Sequence, residues 1–244
     1  MAAERSWRQA ARDAAPVALV LALCPLVAAI APGPAVPVER AADLIAVERS
    51  LGLFFEPAVH AWFAARPRLM GAADFGYAAI HLPVLLGVLA WVWTARPTAF
   101  RRVRNTFVAT QVLLVAGYAL VPTAPPRMVA SLQYGSAGTG LTGLDRLAMS
   151  PYAAMPSGHA AFSLLVAGIV VALSRRRLVQ AIAVLYPVAV GVEIVGTGNH
   201  IWLDAIAGAA AAAVGFAVVS AIEHRWRVQR PARRSELVGD GSAG

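Results

Sequence analysis

The chain has 244 residues, 59% of them hydrophobic and 14% charged, with a mean hydropathy of +0.63. Soluble domains carry about 25% charged residues, so this composition excludes an ordinary soluble protein and points to a membrane protein. The formal charge of +8 comes from arginines without a single lysine, and they sit in short clusters between apolar runs with no interleaved aromatic stripe, which argues against a nucleic-acid partner.

A bilayer-crossing helix needs about 20 apolar residues. Six segments approach that length, near 16–31, 73–95, 103–121, 157–174, 178–196 and 204–222. The first follows Arg5, Arg8 and Arg12 and ends in Ala29-Ile30-Ala31. It fits a retained helix, the favoured reading, or a signal peptide with a small-residue cleavage site. Cys24, the lone cysteine, lies inside it and reads as a small buried apolar residue.

Residues 33–71 mix charges with Leu44, Ile45, Leu51, Leu53, Phe54, Phe55, Trp62 and Phe63. The 38–49 part predicts an amphipathic helix, either lying in the membrane interface or capping the bundle. Residues 122–156, rich in Pro, Gly and Ser, predict an irregular loop over the site. The end of the chain, 235–244, predicts a disordered tail. The expected division is therefore 1–72 (tail, first span and outer loop), 73–222 (membrane domain) and 223–244 (basic tail).

Arginine placement orients these segments. Fifteen arginines fall in the N-terminal tail, the 96–104 and 175–177 connections and the C-terminal tail, against six on the opposite side. The positive-inside rule puts both termini in the cytoplasm and the opposite loops outside the cell membrane. Two histidine motifs then share the outer face: Pro156-Ser157-Gly158-His159 and Gly198-Asn199-His200-Ile201-Trp202-Leu203-Asp204.

In the second motif, Asp204 follows His200 by four residues, which on a helix is the same face. A carboxylate that accepts from one imidazole nitrogen fixes the tautomer and supports positive charge after nucleophilic attack. The same spacing is half a metal site, but no His, Cys or carboxylate cluster supplies further ligands. In the first motif Ser157 reads as an N-cap. Gly158 and His159 then offer backbone N–H groups to phosphate oxygens, and the His159 side chain can protonate a leaving oxygen. Together the motifs suggest phosphoryl transfer at a membrane surface.

Arg127 closes the stiff run Pro122-Thr123-Ala124-Pro125-Pro126-Arg127, and its planar fork suits either a phosphate dianion or lipid head groups. Glu193 and His81 sit in apolar runs, where ionisable groups are costly. They could serve a polar acceptor or, as structural groups, hold helices together. Gln111 predicts an interhelical hydrogen bond, and Trp91, Trp93, Trp202 and Trp226 predict interfacial anchors.

The residues 156–159 match the P-S-G-H motif of the type 2 phosphatidic acid phosphatase (PAP2) superfamily, and 198–204 is similar to its final H-x-x-x-D motif. The A-P-P-R at 124–127 resembles the inositolphosphotransferase branch typified by fungal inositol phosphorylceramide synthase. The likeness covers roughly 73–222. It implies an all-α, polytopic, six-helix membrane bundle with a metal-independent site, no cofactor and a lipid phosphate or phospholipid substrate. By that likeness His200 is the nucleophile, Asp204 its orienting partner and His159 the general acid. Arg127, Ser157, Gly158 and Asn199 hold phosphate. The superfamily's K-x6-R-P motif is absent, and Glu193 and Ile194 stand where a Ser-Arg pair usually precedes the last histidine. These departures weaken a plain phosphatase reading and favour a head-group transferase. A non-catalytic lipid-binding or lipid-moving protein of the same fold is the remaining alternative, ahead of a transporter.

Overall fold

The computed structural model of the protein describes residues 7–134 and 150–239, with side chains up to 229. Among them are nine α-helices and no strand: α1 (Trp7–Ala29), α2 (Ala35–Ser50), α3 (Glu56–Ala64), α4 (Pro67–Ala79), α5 (His81–Ala95), α6 (Pro97–Leu120), α7 (Gly158–Leu173), α8 (Arg177–Gly196) and α9 (Trp202–Gly239). Short 3-10 turns at Pro126–Met128 and Ala130–Leu132 follow α6. The fold is all-α, as the hydropathy pattern predicts.

Four helices (α1, α6, α8 and Trp202–Gln229 of α9) are long and apolar enough to cross a bilayer, and the bent pair α4–α5 makes up to five. The expected count of six is therefore not reached by length and composition. The segment expected at 157–174 forms the 16-residue α7, about 24 Å long at 1.5 Å per residue and shorter than a ~30 Å hydrocarbon core.

The expected single helix over 73–95 is broken, with a 47° bend between α4 and α5. Pro83 supplies the reason. Its ring lacks an N–H and clashes with the carbonyl four residues earlier, that of Ala79, where α4 ends. In the first turn of α5 the same proline costs nothing, because that N–H has no helical acceptor anyway.

The main core lies among α1, α5, α6, α7 and α9, where Val20, Leu85, Leu89, Phe107, Leu114, Tyr118, Ala161, Leu165, Ala211 and Ala212 interlock. Gln111 Nε2 donates to Cys24 Sγ at 3.1 Å, so the expected interhelical bond ties α6 to α1. Outward faces stay apolar. On α8, Leu178, Ile182, Leu185 and Val188 are all at least 60% exposed at helical spacing, a stripe that water would penalise and lipid tails accommodate.

At the end of the bundle where α9 begins, α2 packs over the first turn of that helix. Ala41 and Ile45 meet Ala124, Val129 and Ile201, with Phe54 and Leu203 around them. The helix expected over 38–49 is present and rests on the bundle along one face. The Trp202 ring lies 5.2 Å from that of Phe55. Helix α9 continues to Gly239, through most of the expected tail. The expectations for 135–149 of the long loop and for 240–244 lie outside the described residues.

Candidate active site

Two helix starts build the site. Ser157 caps α7: its Oγ accepts the Ala160 N–H at 3.3 Å, while its own N–H donates to the Asp204 carbonyl at 2.9 Å. That second bond ties the beginning of α7 to the first turn of α9. The helices touch backbone to backbone here, because a Cβ on Gly208 would stand 3.0 Å from the Ser157 carbonyl carbon. Ser157 is fully buried, so its observed bonds are structural ones.

His200 and Asp204 meet, but not along a helix face. Helix α9 begins at Trp202, so His200 lies in the preceding turn and Asp204 in the first helical turn. The carboxylate folds back: Asp204 Oδ2 accepts the Ile201 N–H at 3.0 Å and lies 3.4 Å from His200 Nδ1. This is the backward reach of a capping residue, and it leaves the imidazole and carboxylate side by side. The His200 contact is long and off line for a hydrogen bond, and neither ring nitrogen has another partner. Such contacts tighten when substrate binds. Both side chains are at most 2% exposed.

The turn before His200 carries the cationic group. Gly198 turns with φ +68°, a left-handed conformation that a side chain would strain, and its carbonyl accepts the Arg127 N–H at 3.0 Å. The Arg127 guanidinium hydrogen-bonds Asn199 Oδ1, and Asn199 Nδ2 donates to Thr197 Oγ1 at 2.8 Å. Burial pulls the Arg127 guanidinium below its ordinary pKa, partly offset by Tyr77 and Asp74. An anion placed there recovers the solvation that burial removed.

His159 faces this group from α7. Its ring centroid is 5.8 Å from that of His200, and it stacks on Tyr77 at 4.1 Å. Nε2–H donates to the Tyr77 carbonyl at 3.1 Å, since a carbonyl can only accept. That carbonyl is two residues from the end of α4, where the helix break frees it from a helical partner.

Behind His159 stand two ionisable groups of the apolar helices α5 and α8. His81 Nε2 and Glu193 Oε2 are 2.8 Å apart, and His81 Nδ1 lies 2.8 Å from the Tyr186 hydroxyl. The His81 ring meets that of His159 edge to face at 5.1 Å. The structure thus brings together His159, His200, Asp204, Arg127, Asn199, Glu193 and His81. Ser157 and Gly158 join them as the cap and first residue of α7. Among the described residues no group of three or more His, Cys, Asp or Glu is placed to hold a metal ion.

Four neighbours have no counterpart in the sequence expectations. Tyr77 supports His159. His60 donates from Nδ1 to the Gly196 carbonyl at 2.9 Å and stacks on Tyr134. Glu48 and Glu56, buried to 0% and 1% exposure, reach the first N–H groups of α9. Only the glutamates left a trace in the sequence, as charges flanking the apolar run 51–55.

A family model described as PAP2 superfamily matches residues 42–218. That span is well over half of the chain, and the protein belongs to the PAP2 superfamily. It reaches further toward the N-terminus than the motif resemblance, taking in α3, α4 and most of α2. No curated protein and no solved structure matches the chain. Membership in this superfamily points to phosphatase or phosphotransferase activity on phosphoesters, carried by a protein with several membrane-length apolar helices.

Proposed function

We propose that the protein is a membrane enzyme that transfers phosphoryl groups from lipid-linked phosphoesters through a covalent intermediate on His200. The observation that carries this reading is the meeting of two histidines from separate motifs, 5.8 Å apart, with Asp204 beside one and Arg127 on the adjoining turn.

The steps follow from the groups present. The Arg127 fork and Asn199 amide hold non-bridging oxygens of the phosphoester. His200 Nε2 attacks phosphorus while Nδ1–H leans on the Asp204 carboxylate, which stabilises the imidazolium-like product. As the P–N bond forms, the P–O bond to the leaving group breaks, and the leaving oxygen takes a proton from His159. In the second half an acceptor O–H gives its proton back to His159, its oxygen bonds to phosphorus, and the P–N bond breaks. His200 is then free and neutral again.

Water as acceptor makes a phosphatase and an alcohol makes a transferase. The A-P-P-R resemblance to the inositolphosphotransferase branch favours the alcohol. So does the His81–Glu193 pair, 5.1 Å behind His159 measured between the histidine rings, where it can orient a polar acceptor. In this reading the site faces outward and needs no metal.

The test is product analysis in lipid micelles with chelator present. Phosphorus-labelled phosphatidic acid and inositol phospholipids are supplied, with His200→Ala alongside. Label released only by the wild-type protein supports the reading, as free phosphate for hydrolysis or as a new phosphorylated alcohol for transfer. Equal release by folded His200→Ala contradicts it.

A further inference from the structure

Helix α9 presents its free N–H groups directly after His200, and three carboxyl groups meet them. Ile201 N–H goes to Asp204 Oδ2 at 3.0 Å, Trp202 N–H to Glu56 Oε1 at 3.2 Å and Leu203 N–H to Glu48 Oε1 at 2.7 Å. The two glutamates come from different helices, α2 and α3, which a short turn folds against each other. In it Leu53 N–H donates to the Glu48 carbonyl at 2.9 Å, and Gly52 takes φ +68°. Phe55 packs beside Trp202, with ring centroids 5.2 Å apart and a tilt of 33°.

Each glutamate has a second oxygen, Oε2, that is buried and accepts from no N–H. Their Oε1 atoms accept from adjacent N–H groups, so two buried carboxyls stand side by side, each with an oxygen that has no partner, and two carboxylates there would repel. One proton between them resolves the conflict and leaves a single negative charge, the sign that a helix N-terminus favours.

We infer that Glu48 and Glu56 share one proton and act as positioning residues, clamping the first turn of α9 so that Asp204 and His200 keep their register. The clamp also occupies the N-terminal end of α9, so a substrate phosphate is left to Arg127, Asn199 and the start of α7. The inference rests on the proposed role of His200 for its effect on turnover, but not for its effect on structure.

The surroundings agree. Burial, followed by the neighbouring Glu56 carboxyl, pushes the Glu48 carboxyl up from 4.5 to about 8, against the pull of the Leu203 N–H. Asp204 on α9 also disfavours further negative charge on Glu48, and the pair in turn pushes up the Tyr134 hydroxyl beyond the second 3-10 turn. Arg49 on α2, whose guanidinium lies 4.7 Å over the Phe54 ring, acts on Tyr134. The sign of the linkage follows. A carboxyl whose folded pKa is raised binds its proton more tightly in the folded protein. Its contribution to stability is therefore full below 4.5 and is lost as pH rises to about 8.

The experiment compares Glu48→Gln, Glu48→Ala and Glu56→Gln with the wild-type protein in lipid nanodiscs. Infrared titration should give a protonated-carboxyl band that disappears near pH 8 in the wild-type protein and is missing in Glu48→Gln. Amide exchange at residues 201–204 should accelerate about tenfold or more in Glu48→Ala and stay slow in Glu48→Gln, whose amide still accepts from Leu203 and donates to Glu56. Turnover should follow the same order. A misplacement near 1 Å costs about 10²-fold, so Glu48→Ala loses kcat on that scale with KM little changed, and Glu48→Gln recovers at least tenfold of it. The Glu48→Gln pH profile should also lose the decline near pH 8. A band that persists in Glu48→Gln, or exchange unchanged in Glu48→Ala, overturns the inference whether or not any substrate turns over. Turnover that His200→Ala retains sinks the His200 mechanism and leaves the clamp standing.

Discussion

The surroundings of His200 and His159 differ in kind. His200 lies in a turn held by carboxyl groups from three helices, with Asp204 beside its ring and Arg127 bonded to its neighbour Asn199. His159 sits on the first turn of α7 among aromatic rings, with one hydrogen bond to a carbonyl. An imidazole backed by negative charge is suited to gain positive charge, as a nucleophile must. One packed among rings, with no carboxylate of its own, gives up a proton readily, as an acid must. The proposed division of labour rests on these environments, since the side chains are the same.

The comparison breaks most directly at His200. His200→Ala should lower turnover on the order of 10⁶-fold, the scale of removing a covalent nucleophile. Asp204→Asn should cost about 10⁴-fold, because the amide supports the wrong tautomer and cannot stabilise the cation. His159→Ala should cost about 10²- to 10⁴-fold with alkyl leaving groups. With nitrophenyl phosphoesters, which leave without a proton, most of that defect should vanish. An equal loss on both substrate types would contradict the acid role. Arg127→Lys keeps the charge and loses the fork, so KM should rise about tenfold, the scale of one charge-assisted hydrogen bond, with kcat less affected. Gly208→Ala, away from the chemistry, should destabilise the protein by about 1–3 kcal/mol through overpacking, read as a lower denaturation midpoint in detergent.

Much of this was legible in the chain. Ser157 as N-cap, His200 near Asp204, and the helices at 103–121, 178–196 and 204–222 follow from local pattern, because capping and hydropathy act over a few residues. The bend at Ile80 was legible in principle, since Pro83 marks it, but an apolar run masks a break when only hydropathy is read. The geometry of the His200–Asp204 pair was not, because four-residue spacing fits both a helix face and a capping turn. The glutamate clamp joins residues 146 and 155 positions apart. No period or motif encodes such a contact; it exists only once α2 and α3 fold over α9. Tyr77 is in the same position, as it supports His159 with a backbone carbonyl that its side chain does not announce.

The central claim is a covalent bond between phosphorus and His200. Rapid acid-free quenching of the enzyme with phosphorus-labelled phosphatidic acid, followed by peptide mapping, tests it. The account predicts an acid-labile, alkali-stable label on the peptide containing His200, absent from His200→Ala. Label on another residue, or steady turnover with no labelled enzyme at any time, would contradict it.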